Sequence, residues 1–191
     1  MGIEIIESLR SMSPEMLQSI LGKNGLDIWK KANGIYFRSV IPYSEEKSIS
    51  TEQTFESDTF DRELLTRILI AMTEKIAFRL RKRKKQTSVV TVKIRYSNFD
   101  TFTRQKKIAY TSLDHLLIST ALELFEQLCQ WKMPVRLVGV RLGGLVNGVQ
   151  QLELFDDNEK MIKLYSSMDQ IRTKYGTKAV RRASGISRDK R

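Results

Sequence analysis

"SVVTVKIRYS" (residues 88–97) alternates without a break: Val90, Val92, Ile94 and Tyr96 fall on one side of an extended chain, Thr91, Lys93 and Arg95 on the other. Successive side chains of a strand point to opposite faces, so this stretch predicts a strand with one face on a core and one in solvent. Its neighbours follow from their own periods. Residues 59–83 repeat apolar side chains at helical spacing (Leu65, Ile68, Leu69, Met72, Ile76, Leu80) and end in the cations of "RLRKRKKQ" (79–86), where a helix dipole favours positive charge. Before that helix, "KSISTEQTF" (47–55) reads as a strand rich in β-branched and hydroxyl residues. After the central strand come a partner strand "TFTRQKKIAY" (101–110), a second amphipathic helix over 112–131 (Leu116, Leu117, Thr120, Ala121, Leu124, Phe125, Leu128) and a last strand "VRLVGVRLGGL" (135–145). The order β-α-β-β-α-β predicts an α+β domain of the ferredoxin-like, split βαβ kind over 47–148.

That order assigns both helices to one face of a four-stranded sheet and leaves the other open. Lys93 and Arg95 are expected there, with Thr103, some of Arg104, Gln105 and Lys107, and Arg136 or Arg141 from the last strand. Ser48, Ser50 and Thr51 add hydroxyls. A face of Arg, Lys, Ser and Thr without aromatics suits contact with a sugar-phosphate backbone; an RNA-recognition sheet needs stacking aromatics on its central strands, and Tyr96 lies on the apolar side.

Bulk composition agrees. The chain has 191 residues, 41% of them hydrophobic, enough for one sizeable core, and carries 33 Lys+Arg against 22 Asp+Glu for a net charge of +11. Such a balance favours a polyanion, nucleic acid before membrane. The excess is local: residues 44–110 hold 15 basic and 9 acidic side chains and 171–191 hold 8 and 1, while 111–155 hold 3 and 4. One Cys (Cys129) and one His (His115) exclude a disulfide framework and a multi-cysteine metal site, and leave little for His- or Cys-based catalysis. Cys129 and the methionines (Met12, Met16, Met72, Met133) read as core filling, and His115 as a residue without a partner cluster. No apolar run approaches the roughly 20 residues that span a bilayer, and no signal peptide opens the chain, so an intracellular protein is expected.

The first 37 residues predict short helices. Ser13-Pro14-Glu15 starts one, "LGKNG" (21–25) is a Gly-bounded turn, and Leu26, Ile28, Trp29 and Ala32 belong to another that stops at Gly34. A helix, Gly-turn, helix unit is the form in which a helix-hairpin-helix holds a DNA phosphate; an ordinary αα-hairpin fits the same residues. The segment 38–46, with Pro42 and a charged end, reads as a linker.

"KSISTEQTF", "TVKIRYSNFDTFTRQ" and "VRLVGVRLGGL" resemble successive strands of the little-finger domain of Y-family translesion DNA polymerases, the bacterial DNA polymerase IV group above all. "LGKNGLDIWKKANGI" (21–35) resembles the end of the thumb that precedes it. The resemblance is collinear over residues 2–155. It implies that the open face lies along primer-template duplex DNA, with contacts from Ser48, Ser50, Thr51, Arg95, Thr103, Arg104 and Arg136. Leu137 departs from members that place a second Arg there. It further implies that the palm and fingers, whose acids hold Mg²⁺ for phosphoryl transfer, lie upstream, so that this chain holds no catalytic residue, no metal and no cofactor of its own. The acids present (Glu45, Glu46, Glu52, Glu56, Asp58, Asp61, Glu63) read as solvated or as helix-start residues.

"QLELF" (151–155) resembles the short peptide by which bacterial polymerases dock on the sliding clamp. Leu152 and the Leu154-Phe155 pair on an exposed segment fit two adjoining pockets, and Gln151 fixes orientation by hydrogen bonds. The competing reading has Leu152 and Phe155 cover the sheet edge. Residues 149–191 are thus expected to be a clamp-binding peptide and a basic tail, with one short helical pattern (Ile171, Tyr175) and then a flexible end. The whole reads as the DNA-gripping, clamp-docking C-terminal part of a translesion polymerase, monomeric in isolation, cytoplasmic and associated with the bacterial nucleoid. The alternative is a stand-alone, non-enzymatic ferredoxin-like nucleic-acid-binding accessory module.

Overall fold

The computed structural model describes residues 3–37, 39, 45–148 and 158–185. The chain divides into two compact units, Met1–Ser44 and Glu45–Arg191.

The first unit holds α1 (Ile6–Ser11), α2 (Pro14–Leu21) and α3 (Lys23–Ala32). Ser13 caps α2, its Oγ accepting from the Met16 amide at 3.1 Å, and Pro14 takes the first helical position, where its missing N–H costs nothing. Gly22, at φ +62°, separates α2 from α3. Gly25 then lets α3 close on α2: a Cβ there would lie 2.1 Å from the Leu17 carbonyl oxygen. Leu17 is the one buried apolar side chain of this unit among the described residues, and Met16, expected in a core, is 51% exposed.

The second unit holds β1 (Ser48–Thr59), α4 (Arg62–Lys82), β2 (Lys85–Tyr96), β3 (Thr101–Thr111), α5 (Asp114–Leu128), β4 (Val135–Gly143), β5 (Val146–Asn147) and α6 (Asn158–Tyr175), then a 3-10 turn at Ala183–Gly185. The expected α+β order is borne out. All four long strands pair antiparallel in the spatial order β1-β4-β2-β3, so each βαβ crossover is split by a strand of the other, and β5 adds a short pairing to the start of β2. Asp61 caps α4 through Leu64 N–H at 2.9 Å. The buried stripes of α4 (Leu65, Leu69, Met72, Ile76, Leu80) and α5 (Leu117, Ala121, Leu124, Phe125) pack on Val90, Val92, Ile94, Val138, Val140 and Leu142. Leu116, expected in that stripe, is 40% exposed; Ile118 is buried instead.

The tail departs most from expectation. α6 is 18 residues long, and Tyr165 on it is 1% exposed. Its hydroxyl accepts from the His115 amide at 3.2 Å and lies 3.1 Å from His115 Nδ1, so His115 does have a partner. Arg81 of α4 donates to Asp169 of α6 through Nε (2.6 Å) and Nη2 (3.0 Å), and through Nη1 to the Ser112 carbonyl (2.8 Å) and to Asp114. Arg172, 4% exposed, faces Glu74 at 3.6 Å and donates to the Val180 carbonyl at 3.0 Å. Residues 158–185 of the tail therefore pack against α4 and α5. Burial pushes the Asp114 carboxyl above the usual carboxylate range, with Arg81 and then Arg172 pulling it back down.

Candidate nucleic-acid interface

Antiparallel registers put directly opposed residues on the same face of a sheet. Four rows cross the face away from α4 and α5: Ser48–Gly143–Val89–Lys107, Ser50–Arg141–Thr91–Gln105, Glu52–Gly139–Lys93–Thr103 and Thr54–Leu137–Arg95–Thr101. These rows hold four cations, Lys93, Arg95, Lys107 and Arg141, one acid, Glu52, and no aromatic ring. A shallow depression of about 510 Å³ runs through the middle, lined by Ser48, Ser50, Glu52, Lys93, Thr103 and Arg141 among others. Same-face neighbours along a strand stand roughly 7 Å apart, so Lys93 and Arg95 form a regular ladder. Arg95 is braced across the row, its Nε donating to Thr101 Oγ1 at 2.8 Å. Arg141 is exposed and has no ion pair among the described residues.

The expected site residues therefore sort into two sets. Ser48, Ser50, Lys93, Arg95, Thr103 and Arg141 share the open face. Thr51 and Arg104 do not: they belong to the row Thr51–Val140–Val92–Arg104, on the side that the helices cover. The cause is parity. Thr51 follows Ser50 by one residue and Arg104 follows Thr103 by one, so neither can share a face with its neighbour in a regular strand. Arg104 remains exposed because β3 is an edge strand.

Arg136 stands apart from both faces. Arg95 pairs Leu137 while Tyr96 pairs Val135, which leaves Arg136 as the extra residue of a bulge. Its guanidinium lies 4.6 Å from the Phe99 ring centroid and 3.5 Å from Asp58 Oδ1. It marks the end of the sheet at the β2–β3 turn, where Phe99 has φ +68° and is 63% exposed. Leu137, which departs from the resembled pattern, is on the open face but only 6% exposed.

Sequence reasoning missed the role of Glu52. Its carboxylate accepts from Lys93 Nζ through both oxygens at 3.0 Å, reaching across the intervening strand β4. Gly139 makes that crossing feasible, since a Cβ there would stand 2.8 Å from Glu52 Cγ. The alternation Ser48, Ser50, Glu52 carried the signal. Gln151, Leu152, Leu154 and Phe155 lie outside the described residues. No group of His, Cys, Asp and Glu among the described residues is arranged to hold a metal ion, and no helix there is long and apolar enough to cross a membrane.

Residues 46–154 match the impB/mucB/samB family C-terminal domain. The DNA polymerase IV of Dehalococcoides mccartyi is 38% identical over 182 residues, which make up 94% of this chain and 47% of that protein. The DNA polymerase IV of Clostridium kluyveri is 34% identical, covering 100% of this chain and 51% of its own length. DNA polymerase IV 1 of Bacillus subtilis is 31% identical, covering 99% and 47%. The chain thus spans about half the length of the curated relatives it matches. The matched region contains all four long strands and both covering helices, which bears out the resemblance to Y-family polymerases carried by the strand sequences. The chain belongs to the impB/mucB/samB family, with residues 46–154 as its C-terminal domain.

Proposed function

We propose that this chain grips duplex DNA by its sugar-phosphate backbone, as the DNA-holding part of a translesion DNA polymerase whose catalytic palm, with its acids and Mg²⁺, is upstream of it. The observation that carries the reading is the sheet face turned away from α4 and α5, with four cations, a set of hydroxyls and no aromatic ring. Hydrogen bonds to phosphate fix position and carry no sequence information, so one strand sequence should serve as well as another. The names of the relatives support the polymerase context. The stand-alone accessory module shares the DNA-binding face but not that context. Titrating a primer-template duplex with the 191-residue chain tests the reading: binding should be sequence-indifferent and fall steeply with salt.

QLELF (151–155) supports a second contact, with the sliding clamp. Its position at the very end of the matched domain, which reaches residue 154, fits a docking peptide, and its energy should be concentrated in the apolar anchors Leu154 and Phe155. Burying such a side chain contributes about 1.5–3 kcal/mol, so changing both to Ala should lower clamp affinity by roughly a hundredfold or more. The melting temperature should hardly move. A large stability loss with unchanged clamp affinity would instead identify the pentapeptide as a cover for the sheet edge.

A further inference from the structure

Lys93 sits at the centre of the open face, yet it is already engaged. Glu52 lies over Gly139 and holds the ammonium with both carboxylate oxygens at 3.0 Å, from a strand two positions away in the sheet. The arrangement is built by three residues in one row: an acid on β1, a residue without a side chain on β4 and a lysine on β2. Any Cβ at position 139 would push the carboxylate off that line. The pair is open to solvent, with 27% of the Lys93 side chain and 44% of the Glu52 side chain exposed. A ligand phosphate approaching the middle of the face therefore meets a carboxylate and a cation that is already paired.

We propose that Glu52 is an intramolecular competitor for the backbone phosphate that Lys93 would otherwise bind, and that it sets how tightly the face holds DNA. The inference rests on the DNA-binding reading above. Exposed ion pairs contribute little to stability, about 0–1 kcal/mol, so this one can exchange its acid for a phosphate at small cost. As long as Glu52 holds the ammonium, Lys93 neutralises little phosphate charge, so it adds little to the salt dependence of binding. The arrangement keeps a central lysine aligned while weakening the grip, which lets the domain shift along the duplex rather than lock at one register.

The test compares the full 191-residue chain with its Glu52→Gln, Lys93→Ala and double variants, titrated onto a labelled duplex of arbitrary sequence over a series of KCl concentrations. Glu52→Gln is expected to tighten binding about 3- to 10-fold and to steepen the log-log salt slope by up to about 0.9, the value of one more phosphate neutralised. Once Lys93 is Ala, the same change at position 52 should lose most of its effect. Thermal melts of all four proteins should nearly coincide, which separates binding from folding. Tight, salt-dependent binding by the wild type with no tightening in Glu52→Gln would overturn the inference and leave the DNA reading standing. Weaker binding by Glu52→Gln would also overturn it, identifying Glu52 as a positioning residue for Lys93. Absence of salt-dependent binding in every variant would overturn both.

Discussion

Cys129 closes the end of α5 beside Tyr96 and Trp131, and it is 6% exposed. The same corner is tied by the Gln130 amide, which donates to the Tyr96 hydroxyl at 3.0 Å, and by an edge-to-face pair of Phe125 and Trp131. Burial pushes the Cys129 thiol above its ordinary value, and burial pushes the Tyr96 phenol up as well. Since the thiolate is the reacting form, Cys129 in the native chain should alkylate more slowly at neutral pH than in the denatured chain; comparable rates would mean that the corner opens readily. At the surface the opposite effect operates. A hydrogen bond from Lys106 holds the Glu123 carboxyl below the usual range. Its contribution to stability is therefore present above the ordinary Glu pKa and is lost as pH falls through the lowered value. An NMR titration should find that lowered midpoint in the wild type and a higher one in Lys106→Gln. At this scale sequence and structure part company over single steps. Val90, Val92, Ile94 and Tyr96 were legible as the inward set because alternation fixes them relative to one another. The same alternation places Thr51 and Arg104 opposite Ser50 and Thr103, so a cluster of hydroxyls or cations that is contiguous in sequence is divided between the two faces.

α6 is held by charge and one aromatic ring more than by an apolar stripe. Arg81 sits at the hub, 5.2 Å from the Tyr165 ring centroid, with Asp169 and the fully buried Asp114 as its carboxylate partners. Removing one member of a buried ion cluster leaves the others uncompensated, which typically costs about 3–5 kcal/mol. Arg81→Met should destabilise the second unit by roughly that amount in denaturant unfolding and release amide exchange protection in 158–175. A loss under about 1 kcal/mol would show that α6 does not depend on this cluster. The same chemistry explains why the helix was hard to see in the sequence. Ile171 and Tyr175, the two residues that suggested a helical pattern, are 40% and 67% exposed. The docking contacts come from Tyr165, Asp169 and Arg172, which form no apolar period. α4 and α5, by contrast, were legible because their buried faces repeat at 3.6 residues.

For the whole molecule, a net charge of +11 says only that polyanions are attracted; the sheet says where they could be received. The open face concentrates Lys93, Arg95, Lys107 and Arg141, while Arg104 and Lys106 project from the helix side of the same edge strand, Lys106 bound to Glu123. A chain that merely attracted DNA by bulk charge would lose the same affinity whichever arginine was removed. A chain that grips DNA with one face would not. The measurement that separates them is a duplex titration over a range of salt with Arg95→Ala, Arg141→Ala and Arg104→Ala, on two unrelated sequences. With one gripping face, Arg95→Ala and Arg141→Ala should each weaken binding to both sequences alike and flatten the log-log salt slope by about 0.9, while Arg104→Ala changes the slope by much less. Equal losses from all three substitutions, or a marked preference for one of the two sequences, would contradict it.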